Sequence, residues 1–197
     1  MTERVQSAIL SLMNEVDSLR REIDQTNRRL RDSEDVADTD PLLPIPNRRA
    51  FVRELNRMIS FAERYGTSST LMFIDLNDMK LINDKYGHEA GDKALFHVAR
   101  LLADNVRTTD VIGRLGGDEF GVILAQADEQ IGAEKAQSLA ELISKHPIQL
   151  RDDTVEMSLA FGVYTFKSGD EPNDALNKAD KAMYENKRDM KGEDNVR

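Results

Sequence analysis

The chain has 197 residues, 40% of them hydrophobic and 32% charged, with a formal net charge of −9. That length suits one domain plus an appendage, and the acidic balance argues against nucleic acid as a main partner, which would favour a basic face. The absence of Cys excludes disulfides and thiolate metal sites, no run approaches the roughly 20 apolar residues of a membrane span, and the N-terminus lacks an apolar signal core, so a cytoplasmic chain without a membrane partner is expected.

Residues 4–38 contain no Gly, Pro or aromatic residue. Val5, Ile9, Leu12, Val16, Leu19, Ile23 and Leu30 are spaced alternately four and three apart, with Thr26 filling the gap. This is a heptad repeat. With Ile9, Val16, Ile23 and Leu30 at a, the d positions are Val5, Leu12, Leu19, Thr26 and Ser33. β-Branched residues at a with Leu at d favour a parallel two-stranded coil, and Glu15 at g can reach Arg20 at e of the partner, as Arg29 can reach Glu34. About 30 helical residues give a stalk of about 45 Å. The expectation is a coiled-coil stalk over 1–38 that pairs two copies of the chain.

Residues 39–47 follow as a hinge. Three of the five Pro fall within Asp40-Pro41-Leu42-Leu43-Pro44-Ile45-Pro46-Asn47, which reads as stiff and extended. Asn47 caps a helix from Arg48 to about Tyr65, closed by Gly66. The continuous apolar run Thr70-Leu71-Met72-Phe73-Ile74-Asp75-Leu76 predicts a buried central strand. Asp78–Tyr86 predicts a short helix stopped by Gly87, and Asp92 to about Val106 a longer one.

Next come two β-prone runs, 110–115 and 120–124, around Gly116-Gly117-Asp118-Glu119. The Gly pair predicts a tight hairpin turn at positive φ, carrying two acids with little bulk beside them. A helix over about Asp128–Lys145, a strand over Val155–Thr165 with Gly162 as a candidate bulge, and a helix from Glu171 to about Met190 opened by Pro172 complete the chain. Interleaved helices and strands make the fold class α/β, with a mixed central sheet flanked by helices over 48–197.

Asp75 ends the predicted central strand, where ligands of open α/β sheets bind. If the hairpin lies beside that strand, Asp75, Asp118 and Glu119 converge. Three unpaired carboxylates repel one another, so convergence implies a divalent cation. All-oxygen ligands point to Mg²⁺ or Mn²⁺, and Mg²⁺ with few protein ligands shares its shell with substrate phosphates. The expected chemistry is phosphoryl or nucleotidyl transfer.

Gly116-Gly117-Asp118-Glu119-Phe120 resembles the signature of the GGDEF diguanylate cyclases. Further motifs in the same order are similar to that family's: Asn47-Arg48-Arg49-Ala50-Phe51, the block from Phe73 to Asp84, Gly87-His88-Glu89-Ala90-Gly91-Asp92, and Ala179-Asp180-Lys181-Ala182-Met183-Tyr184. The resemblance covers the chain from about Asp40 onward. It implies a nucleotide-cyclase palm-like fold and a reaction taking two GTP to cyclic di-GMP and two pyrophosphates. By position, Asp75, the Leu76 carbonyl, Asp118 and Glu119 would hold Mg²⁺ (or Mn²⁺), with Asp118 and Glu119 catalytic. Asn83 and Asp92 would read guanine, and His88 would line the same pocket. Asp92 would be left unpaired by adenine, which has no N1–H. Lys80, Lys187 and Lys191 would hold the triphosphate. Arg107 and Asp110 match the family's inhibitory Arg-x-x-Asp site for cyclic di-GMP.

Some positions depart from the family pattern. Leu42-Leu43-Pro44-Ile45 replaces Leu-Thr-Gly-Leu, Asn77 the second Asp of the strand-end motif, and Met79 a Phe. Asn186 and Lys191 replace Ala and Arg, and Ala160 stands where Ser is common. A catalytically inactive module serving as a cyclic di-GMP receptor or scaffold is the alternative, and a cyclase of another nucleotide a third reading; the intact acids and the Asn83–Asp92 pair argue against them.

Overall fold

The computed structural model describes residues 38–194 (side chains to 189), together with Met13, Val16, residues 19–23 and Gln25. The chain divides into two units, Met1–Asp38 and Thr39–Arg197. In the first, the described residues are helical. Val16, Leu19 and Ile23, on the predicted seam, are exposed on the single chain. The other seam positions, Val5, Ile9, Leu12, Thr26, Leu30 and Ser33, lie outside the described residues.

The second unit runs α1 (Arg48–Tyr65), β1 (Ser69–Leu76), α2 (Met79–Tyr86), α3 (His88–Asp104), β2 (Val111–Arg114), β3 (Glu119–Leu124), α4 (Glu129–Ser144), β4 (Ile148–Leu150), β5 (Asp153–Val155), β6 (Leu159–Phe166) and α5 (Pro172–Asp194). The main sheet has the order β2-β3-β1-β6. Every pair in it is antiparallel, so the expected mixed sheet is corrected. Interleaved helices announce crossovers but not strand direction, and both neighbours of β1 run against it.

The run in β1 is apolar throughout because both of its faces are covered. Met72, Ile74 and Leu76 join the core formed with α2, α3 and α4. Leu71 and Phe73 join the other core, with Phe51, Leu55 and Ile59 of α1 and Ala175, Leu176, Ala179 and Met183 of α5. By the same alternation Asp75 falls on the α1/α5 face.

Two glycines set how α1 meets the hairpin. Gly113 of β2 and Gly121 of β3 are register partners. A Cβ on either would lie 2.8 or 2.5 Å from the Phe51 ring, respectively. The pair forms a slot for that ring, which holds the start of α1 against the hairpin.

Residues 39–47 turn back rather than extend. Thr39 bridges Pro46, the Asp40 amide donates to the Ile45 carbonyl, and Leu43 and Ile45 are buried. The three Pro stiffen a folded loop because Leu43 and Ile45 gain more from burial than an extended segment would allow.

Three other expectations change. The second long helix begins at His88, not Asp92. The region 148–155 forms a separate hairpin, β4–β5. Gly162 is no bulge, since β6 pairs with β1 without a break; α5 passes so close that a Cβ there would lie 2.1 Å from the Met183 nitrogen and 2.2 Å from the Ala179 oxygen.

Candidate active site

Asp75 and Glu119 are direct cross-strand partners in β1 and β3. Their side chains therefore share the α1/α5 face of the sheet. Beyond them, the Leu76 amide donates to the Asp118 carbonyl at 3.0 Å, which fixes Asp118 beside the strand end. The turn itself differs from the predicted one. It spans Leu115–Asp118 between the strands, and neither Gly116 nor Gly117 has positive φ. What Gly116 supplies is room: a Cβ there would lie 2.3 Å from Glu119 Oε2, so the carboxylate folds over the bare backbone.

The turn is held by a residue that the sequence motif does not single out. Arg114 donates from Nε to the Gly116 carbonyl at 3.0 Å and from an Nη to the Gly117 carbonyl at 2.8 Å. Its other Nη pairs with Asp40 Oδ1 at 3.0 Å. That same oxygen accepts the amides of Leu42 and Leu43. One guanidinium thus ties the acid-bearing turn to the folded loop 39–47. Arg48, at the start of α1, donates to the Leu115 carbonyl.

Burial is the main influence raising the Glu119 carboxyl above its ordinary value, followed by the charges of Asp118, Asp75 and Asp180, with Arg48 pulling the other way. Asp180, on α5, is an acid of this site that the sequence reading used only as part of a motif. The charge on Asp75 is met by Lys187, whose Nζ donates to its Oδ1. Lys187, expected to hold the triphosphate, here compensates the mostly buried strand-end carboxylate.

Among the described residues, no three His, Asp or Glu side chains form a cluster ready to hold a metal. The expected convergence is therefore one of backbone positions. The donor set nevertheless fits Mg²⁺ or Mn²⁺: all-oxygen, mutually repelling, and already attracting an ammonium.

The remaining predicted residues lie on the neighbouring helices. Lys80 and Asn83 belong to α2, His88 opens α3, and Asp92 lies one turn further on. Asn83 is half-buried against α3, where Gly91 leaves space for its amide. Lys80, His88 and Asp92 are exposed. The Lys191 side chain lies outside the described residues. Arg107 and Asp110 are at the other end of the sheet. There both Asp110 oxygens accept backbone amides, from Arg107 and Ala125, so Asp110 shapes the turn that presents Arg107.

Two departures have structural roles. Asn77 donates to Ser158 Oγ at 3.0 Å, tying β1 to the segment before β6. Asn186 accepts the Phe161 amide on the outer edge of β6. Ala160 is the cross-strand neighbour of Asp75 on the side away from Glu119.

Residues 37–193 match the family described as Diguanylate cyclase, GGDEF domain. Diguanylate cyclase DgcP of Pseudomonas aeruginosa is 30% identical over 186 residues, covering 94% of this chain and 28% of that protein. Diguanylate cyclase TpbB of the same species is 34% identical over 186 residues, 92% of this chain and 42% of that one. The chain thus spans less than half the length of these two relatives. Among solved structures, the coiled coil and GGDEF domain of DgcB from Caulobacter crescentus in complex with c-di-GMP superposes with a TM-score of 0.73 at 26% identity, covering 94% of this chain and 95% of that one. The chain belongs to the GGDEF-domain diguanylate cyclase family.

Proposed function

We propose that the chain is an active diguanylate cyclase condensing two GTP into cyclic di-GMP and two pyrophosphates. The observation that carries this is the cross-strand pairing of Asp75 with Glu119 beside Asp118, on a turn cleared of side-chain bulk. Asp75, Asp118, Glu119 and the Leu76 carbonyl would hold Mg²⁺ (or Mn²⁺). When bound, the ion supplies charge neutralisation at the phosphates and lowers the pKa of an attacking hydroxyl.

The chain's own groups do the rest. Asn83 and Asp92, flanked by His88, hold the guanine edge. Lys80, Lys187 and Lys191 take the triphosphate, with Lys187 leaving Asp75 as the nucleotide arrives. Glu119 accepts the proton of the 3′-hydroxyl. That oxygen bonds to the α-phosphorus of the second GTP, and pyrophosphate leaves with the electrons of the broken P–O bond. The twin reaction closes the ring.

Each domain supplies half of this site, so two copies must meet. The heptad stalk over 1–38 is the means, raising the effective concentration of the second domain. The combined coiled coil and GGDEF domain of DgcB supports that layout. The Asp40–Arg114 link supports loop 39–47 as the element that relays stalk geometry to the acid-bearing turn. Product binding at Arg107 would supply feedback between distinct sites. A GTP-consuming enzyme of this kind works in the cytoplasm.

The test is incubation with Mg²⁺ and GTP or ATP. Pyrophosphate and cyclic di-GMP are expected from GTP alone. Absence of turnover with tight binding of cyclic di-GMP would replace this reading with the receptor. Removal of residues 1–38 should sharply lower activity at low protein concentration, and unchanged activity per domain would refute the stalk's role.

A further inference from the structure

The helix that carries Asn83 is weakly held by its own sequence. α2 has eight residues, its buried ones are Met79 and Ile82, and its N-cap Asp78 makes no side-chain cap hydrogen bond. A helix this short needs tertiary support. Asn83 sits in its last turn, where its carbonyl accepts the Gly87 amide at 2.9 Å. Whatever fixes the end of α2 therefore fixes where Asn83 stands.

The β4–β5 hairpin does this. It stands apart from the main sheet and is seated by Leu150, buried in the core, with Ile148 and Val155 packed beside it. From its start in β5, Asp153 presents one oxygen, Oδ2, to the end of α2. The Tyr86 hydroxyl donates to it at 2.7 Å and Lys85 Nζ at 3.1 Å. From the two-residue turn, Arg151 donates from an Nη to the Tyr86 carbonyl at 3.1 Å. The Lys85 ammonium also lies 4.6 Å from the centre of the Tyr86 ring. An exposed ion pair alone contributes little, but here three hydrogen bonds converge on two successive residues. The Tyr86 hydroxyl first, and Lys85 after it, hold the Asp153 carboxyl below its ordinary value. Backbone strain marks the same region. Among the described residues, three other than Gly have positive φ, and two of them bear on α2: Asp78 at its start (60°) and Arg151 at the hairpin turn (56°). Such conformations cost energy and gather at functional sites.

We propose that Asp153 and Arg151 are positioning residues for nucleotide binding: the β4–β5 hairpin clamps the end of α2 through Tyr86 and Lys85, and so sets Asn83 against the guanine edge. This rests on the reading of Asn83 as a guanine-binding residue of a cyclase. It adds that base recognition depends on a hairpin that touches neither the base nor the acids. Releasing the clamp weakens the hold on GTP and leaves the acid-bearing turn, on the main sheet, as it was.

The experiment measures initial rates of pyrophosphate release from GTP and Mg²⁺ by the full chain, with melting curves for every variant. Asp153→Ala should raise KM about tenfold, the scale of one hydrogen bond to a charged group, with kcat nearly unchanged. Asp153→Glu, which keeps the carboxylate, should recover most of that loss. Tyr86→Phe should raise KM by less. Arg151→Gly removes the donor but suits the left-handed turn, so KM should rise at little cost in melting temperature. In an Asn83→Ala background, Asp153→Ala should add little to KM, because both changes act through one contact. If Asn83→Ala raises KM but the hairpin variants do not, or if they lower kcat alone, the clamp is overturned and the cyclase reading stands. Full additivity with Asn83→Ala would also overturn it. If the wild type turns over no GTP, the cyclase reading fails and the clamp with it.

Discussion

The two ends of β1 lie roughly 23 Å apart, taking about 3.3 Å per residue, and they are built on opposite principles. At the Asp75 end, main-chain register fixes the functional groups: Asp75 opposite Glu119, and Asp118 held through the Leu76 amide. Charge there is negative and in excess, relieved locally by Lys187. At the Ser69 end the groups are the exposed Phe61, Arg64 and Tyr65 on the last turns of α1 and Arg107 on the turn before β2. The acid end holds its groups through backbone register, while the arginine end leaves its side chains exposed. One sheet keeps them apart, so under the proposed function synthesis and product sensing should be separable by mutation.

The strongest way to break that separation is at the acid end. Glu119→Gln keeps the shape but removes the raised carboxyl. We expect turnover to fall about 10³-fold, the scale of losing one transition-state electrostatic group, while cyclic di-GMP binds at the other end as before. Loss of binding together with turnover would contradict the separation.

Gly162→Ala acts on the element that both ends share. Its new Cβ meets backbone of α5 at 2.1 and 2.2 Å, not a side chain that could rotate away. Stability should drop by about 3 kcal/mol or more, read by denaturant unfolding. Since α5 carries Lys187, activity should be lost before global unfolding.

A smaller effect is expected beyond the arginine end. Tyr164, Lys178 and the Lys167 amide all donate to Asp170, closing the turn between β6 and α5. Burial pushes this carboxyl up, but those hydrogen bonds outweigh it and leave it below its ordinary value. A depressed folded pKa contributes stability above the unfolded value of about 3.9, lost as pH falls through the folded one. Asp170→Asn should therefore cost about 2 kcal/mol near neutral pH, and the gap to wild type should narrow below about pH 4. A gap that is flat with pH would mean the pairing contributes nothing.

The same contrast explains what the sequence disclosed. The acid end was readable because short spaced motifs carry it and because β1, buried on both faces, is apolar without interruption. Its finer geometry was not. Gly113 and Gly121 look like ordinary strand glycines until Phe51 from α1 fills their slot, and Arg114 is only a flanking residue until Asp40 closes on it. Those contacts join distant segments and leave no local pattern. Strand direction was hidden for the same reason: the helix between two strands does not say which neighbour the second will meet. The arginine end was legible only at Arg107 and Asp110. Phe61, Arg64 and Tyr65 carry no motif in the sequence, and only the fold sets them beside Arg107.

The central claim, synthesis at one end and sensing at the other, is tested most directly by following pyrophosphate release from GTP and Mg²⁺ for the wild type and Arg107→Ala. The account predicts equal initial rates, with the wild-type curve flattening as cyclic di-GMP accumulates and the variant's staying linear. A variant that starts slower, or that flattens in step with the wild type, would contradict it.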